Sequence, residues 1–146
     1  MLQQILFNKL LIVPICAWCV AQVLKVIVDS VQKKHLDLSQ LVNMGGMPSA
    51  HSALVCALAT SAAIIYGLNS GIFALTVILA GIVMYDATGV RQEVGTQSTI
   101  INRMLDELFK GRPTLFEQRL RELIGHTHLE VAAGAALGIL FAWLLT

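Results

Sequence analysis

Four long apolar runs, at about residues 5–28, 48–66, 72–90 and 127–145, set the terms for any fold this chain can adopt. A helix rises about 1.5 Å per residue, so some 20 residues cross the ~30 Å hydrocarbon core of a bilayer. A backbone in that core must satisfy its own N–H and C=O groups, and a helix does so within each run. Composition agrees: 56% of the 146 residues are hydrophobic and 13% are charged, against about 25% charged in soluble domains. The expected fold is an all-α integral membrane protein, a single membrane domain over 1–146 with four transmembrane helices. The first run continues to about Val28 without a small-residue cleavage site, so it reads as a retained helix and not as a signal peptide.

One long polar stretch interrupts the pattern, the surface segment 91–125. In "STIINRMLDELFKG" (98–111) the apolar residues fall at 100, 101, 104, 105, 108 and 109, a helical spacing that stops at Gly111 and Pro113. "TLFEQRLRELIG" (114–125) opens on the capping-box pair Thr114 and Glu117. Two amphipathic helices lying on the membrane surface are expected between transmembrane helices three and four. They tether those helices or gate a substrate.

Lysine and arginine in short loops set orientation, because they resist translocation. Lys33, Lys34, Arg91, Arg103, Lys110, Arg112, Arg119 and Arg121 lie in the two long loops, against Lys9 alone on the opposite side. This places both long loops in the cytoplasm, with the protein in the cell inner (plasma) membrane. The net charge of +1, with no basic stripe, excludes a nucleic-acid surface. Cys16, Cys19 and Cys56 all sit in apolar runs, where cysteine packs as a small hydrophobe, and no disulfide is expected. In the fourth run Gly134 and Gly138 form a small-residue face, which lets helices approach closely within one chain or in a homo-oligomer.

The polar residues inside this hydrocarbon are few, and they gather. "GGMPSAHS" (45–52) opens the second run: Gly45 and Gly46 let the backbone bend, and Pro48 suits the first position of a helix. The amides of Ser49, Ala50 and His51 then fall at a helix N-terminus, which attracts anions. An ordinary helix start explains all of these except the histidine. "GHTHLE" (125–130) opens the fourth run. His126 and Glu130 are four apart, so Glu130 can hold the imidazole by one nitrogen and leave the other free to attack. Thr127 and Glu130 are equally a capping box. His128 reads as an interfacial bystander. Lys25 either snorkels to the headgroups or serves a site, and Asp86 either pairs with Arg91 or serves one, because ionisable groups in a membrane are costly. In the assigned topology Lys25, Ser49, His51, Asp86, Arg91, His126 and Glu130 share the cytoplasmic face. Cations and amides to hold a phosphate, with two histidines to attack and to protonate, suit phosphoryl transfer. The sequence offers no closed set of metal ligands, and no cofactor is expected.

"GGMPSAHSALV", "VMYDATGVR" and "LIGHTHLEVAAGAALGI", with "AQVLK" upstream, resemble the divergent type 2 phosphatidic acid phosphatase family, in family order and over nearly the whole chain. The wider superfamily holds lipid phosphatases and vanadium haloperoxidases. The resemblance implies a metal-free mechanism through a phosphohistidine. It makes His126 the nucleophile, Glu130 its orienting partner and His51 the general acid. Lys25, Ser49 and the Ala50 amide become phosphate ligands, with Gly46 and Asp86 in support. Departures are specific. No Arg-Pro follows Lys25 at the family spacing, since Arg112-Pro113 lies far downstream, and position 120, six before His126, is leucine. Arg91 is the candidate substitute and Arg121 the second. Conventional lipid phosphatases have six helices where four are expected here.

The function expected is removal of a terminal phosphate from a glycerophospholipid, phosphatidic acid or phosphatidylglycerophosphate suiting a cytoplasmic site. A polyprenyl phosphate is the further substrate class, and a short membrane chain offers no obvious pocket for haloperoxidase chemistry. The alternative from another class is a noncatalytic membrane protein, a small transporter subunit or a lipid-binding scaffold.

Overall fold

The structure, a computed structural model, describes residues 3, 7–33, 46–108 and 127–146, with the side chains of 32, 33, 90–92, 106 and 108 left out. Five helices of more than a turn lie in these residues: α1 (Lys9–Lys33), α2 (Ala50–Tyr66), α3 (Gly71–Thr88), α4 (Val90–Leu108) and α5 (His128–Leu145).

Each start has a local cause. The Asn8 side chain accepts from the Leu10 amide at 3.0 Å. Ser49 caps α2 and Ser70 caps α3, each accepting from the amide three residues on. Thr127 caps α5 in a complete capping box with Glu130. These side chains satisfy amides that the first turn of a helix leaves without an acceptor. Gly67 ends α2 at φ 82°, a left-handed conformation that favours glycine.

Several boundaries differ from expectation. The helix α1 does not stop near Val28 but runs on to Lys33, since "VDSVQK" carries no glycine or proline. Lys25 therefore sits two turns inside the helix, not at its end. Pro48 is not the first residue of α2; Ser49 takes the cap and the helix opens at Ala50, after a cis Met47–Pro48 peptide. The polar segment becomes helical at Val90, eight residues before the amphipathic pattern at 98. The Gly89 carbonyl accepts from the Glu93 amide at 3.1 Å, so the helix resumes after a single residue. The second amphipathic helix, 114–125, falls outside the described residues.

Among the described residues three stretches are long and apolar enough to cross a membrane: Lys9–Val31, Gly71–Leu105 and His128–Leu145. The helix α2 is also apolar but has 17 residues, about 26 Å of rise. It is the centre of the bundle, packed against α1, α3 and α5. Small residues make this density feasible. Ala53, Ala57 and Ala62 are fully buried, Ala57 against Ala17 of α1 and Ala142 of α5, and Ala53 against Ala21 of α1. On α3 only Ala80 and Ala87 are buried, and Leu75, Ile78 and Ile82 are exposed. Lipid tails are as apolar as leucine, so such a face is at rest in a bilayer.

The closest approach is between α2 and α5. A Cβ on Gly134 would fall on the Ser49 carbonyl oxygen, and one on Gly138 on that of Ala53. These two glycines therefore pack within the chain. The helices run parallel, with α1 and α3 antiparallel to them. At one end the Lys9 ammonium donates to the Thr146 carbonyl at 2.7 Å, and the Ser61 and Thr146 hydroxyls lie 2.9 Å apart. The opposite end holds the polar motifs.

Among the described side chains of α4, Gly95, Ser98 and Asn102 are buried, while the apolar Val94, Ile101 and Met104 and the polar Gln97 and Arg103 are exposed.

Candidate functional site

The starts of α2 and α5 meet. The Ser49 amide donates to the Glu130 carbonyl at 3.0 Å, which joins "PSAH" to "HTHLE" through the backbone. Ser49 is completely buried, and its hydroxyl accepts from the Ser52 hydroxyl at 3.0 Å and from the Ser52 amide at 3.4 Å. That side chain works as the cap. Ala50 follows it, 5% exposed, at the first turn, while His51 is exposed.

A cleft of about 270 Å³ opens beside this junction, between α1, the approach to α2 and the start of α5. Lys25, Val28 and Asp29 line it from α1, Gly46 and Met47 from the approach, and Thr127, Leu129 and Glu130 from α5. Lys25 is only 5% exposed, so it does not snorkel outward. Its Cγ and Cδ lie 3.1 and 3.3 Å from where a Cβ on Gly46 would stand, and Gly46 has φ 90°. Glycine suits this position for its backbone, and a Cβ there would press on the lysine stem.

Glu130 is half-buried, and both halves of its capping box are formed. Its Oε2 accepts from the Thr127 amide at 3.1 Å, and its own amide donates to Thr127 Oγ1 at 3.3 Å. Of the two roles its sequence position allows, the cap is visible. The other needs His126, which lies outside the described residues, as do Gly45, Arg112 and Arg121. The Arg91 side chain is likewise not described, although its backbone lies in the first turn of α4. Asp86 is half-buried near the end of α3 but does not line the cleft. His128 is exposed, and the three cysteines are free thiols, with Cys56 Sγ 3.8 Å from Met84 Sδ. Among the described residues no group of three or more His, Cys, Asp or Glu side chains is placed to hold a metal ion.

Of the residues singled out by sequence, the cleft thus collects Lys25, Gly46 and Glu130, with Ser49 and Ala50 directly behind Glu130. Sequence reasoning missed Asp29. Its spacing of four from Lys25 puts both on one face of α1, and that signal was available.

A bundle of apolar helices with its buried lysine, helix starts and carboxylates drawn to one end is an integral membrane protein with its polar groups gathered at one end of the bundle. A sequence profile of the divergent PAP2 family matches residues 6–141, and the chain belongs to that family. It is 40% identical over 152 residues to the uncharacterized membrane protein YuiD of Bacillus subtilis (strain 168), covering 97% of this chain and 96% of that protein. No solved structure matches the chain.

Proposed function

We propose that the protein removes the terminal phosphate of a glycerophospholipid, of the phosphatidic acid or phosphatidylglycerophosphate type, at the polar end of the bundle. The observation that carries this reading is the hydrogen bond from the Ser49 amide to the Glu130 carbonyl. It sets the two histidine-bearing motifs side by side, next to the cleft that Lys25 lines.

In this reading His126, oriented by Glu130, attacks phosphorus through a ring nitrogen and forms a phosphohistidine. The bond to the lipid oxygen breaks, and His51 gives that oxygen its proton. Water then attacks the phosphohistidine, releasing inorganic phosphate and restoring the imidazole. Lys25 and the first-turn amides of α2, Ala50 among them, hold the phosphoryl oxygens as charge develops. Ser49 supports them as the cap, Arg91 is a further cation at this end, and Asp86 supports from α3. No step calls for a metal.

Purified protein in detergent should release inorganic phosphate from phosphatidic acid or phosphatidylglycerophosphate, in chelator, and vanadate should inhibit it. Loss of activity in chelator with recovery in magnesium would overturn the metal-free route. Binding of these lipids without phosphate release would favour a lipid-binding scaffold. That second reading draws support from the structural use already made of Ser49 and Glu130 as caps.

The reading includes four crossings, α2 among them, with α4 at the cytoplasmic surface of the inner membrane. Single cysteines at Asn69 and Gln97, both exposed, report on it in a background lacking Cys16, Cys19 and Cys56. Gln97 is chosen over Ser98, which is 8% exposed and donates to the Val94 carbonyl. On intact cells an impermeant thiol reagent should label position 69 and reach 97 only after the membrane is broken. The reverse pattern would move the site outside and favour polyprenyl phosphates.

A further inference from the structure

We propose that Asp29 is a positioning residue of the cleft, its carboxylate holding the Lys25 ammonium where a lipid phosphate is met. The proposal rests on the phosphohydrolase reading above for what Lys25 meets, but not for what holds it. Asp29 lies one turn beyond Lys25 on α1, and residues four apart face the same way. Both line the same cleft. The lysine stem lies against Gly46, with Cγ 3.1 Å from where a Cβ would stand, and Asp29 stands one helical turn beyond it on the same cleft wall.

The other carboxylate of the cleft, Glu130, has a structural duty of its own, since its Oε2 accepts from the Thr127 amide. Helix stability does not account for Asp29 either. An acid four residues after a lysine is the weaker order of the pair, and Asp29 is half-buried in a cleft wall instead of lying on an open helix surface. A buried ammonium without an anchor would wander or lose its charge. Anchored, it presents a fixed cation to a phosphate that arrives with no water shell to spare.

Two readouts test this with Asp29→Asn, which removes the charge at nearly equal helix propensity, and Asp29→Glu, which keeps it. The first is hydrolysis of phosphatidic acid in mixed micelles. Asp29→Asn should raise KM about tenfold, the loss of one charge-assisted contact, with kcat within about threefold; Asp29→Glu should stay near the native KM. The second needs no turnover: acetylation of Lys25 by an acyl succinimide at fixed pH, followed by peptide mass spectrometry in native protein and both variants. Asp29→Asn should acetylate several-fold faster, and Asp29→Glu at the native rate. An unchanged Lys25 acetylation rate in Asp29→Asn overturns the proposal. Where native protein hydrolyses no lipid phosphate, the phosphohydrolase reading fails by itself and acetylation still decides the role of Asp29.

Discussion

Replacing His126 with alanine should abolish the phosphoenzyme altogether. A nucleophile has no substitute in a two-step transfer, because the covalent intermediate cannot form without it. His51→Ala should behave differently. Loss of a general acid costs about 10²–10⁴-fold in turnover, and the phosphoenzyme should still form, slowly. Acid-quenched labelling with a radioactive lipid phosphate separates the two roles. Undiminished labelling in His126→Ala would remove that residue as nucleophile, and a rate unchanged in His51→Ala would remove the other as acid.

The second large effect is expected far from any titratable group. Gly134→Val and Gly138→Val place side chains where the Ser49 and Ala53 backbone carbonyls already stand. Backbone cannot swing aside as the tip of a side chain can, so α5 must move away from α2. Overpacking costs about 1–3 kcal/mol per site. Here it should also part the Ser49 amide from the Glu130 carbonyl, lowering activity together with stability. Gly81→Val is the control, because nothing lies within 4 Å of a Cβ there. Unfolding in detergent should show both helix-contact variants weakened and the control close to native. Native stability for Gly134→Val would mean that α2 and α5 do not touch at that point.

Much of this architecture was legible in the sequence because it follows from local rules. Apolar runs became helices, and Thr127 with Glu130 became the capping box their spacing spells. The small face of Gly134 and Gly138 was legible as a contact, but not whether the contact lay within the chain or between copies. Spacing carries no information about the partner helix. The end of α1 was misjudged because apolarity marks where the hydrocarbon stops, whereas the helix obeys its hydrogen bonds and runs on to Lys33. For the site, pattern reached Lys25, Gly46 and Glu130, residues that chemistry or backbone freedom makes conspicuous. It passed over Asp29, four residues beyond Lys25 on the same helix. Burial of Lys25 and contact between its stem and Gly46 join residues 21 positions apart, and no periodicity reports such a meeting.

The backbone bond between Ser49 and Glu130 also bears on how the protein comes into being. Lys25 leaves the ribosome early, Gly46 to Ala50 somewhat later, and Thr127 to Glu130 with the last helix. Until that helix is threaded into the membrane and seated on Gly134 and Gly138, the cleft lacks one wall and the Ser49 amide lacks its acceptor. A half-inserted chain therefore lacks the cleft. Assembly of the bundle acts as its own licence, because the pocket beside Lys25 is complete only once the helix that bears Gly134 and Gly138 is seated.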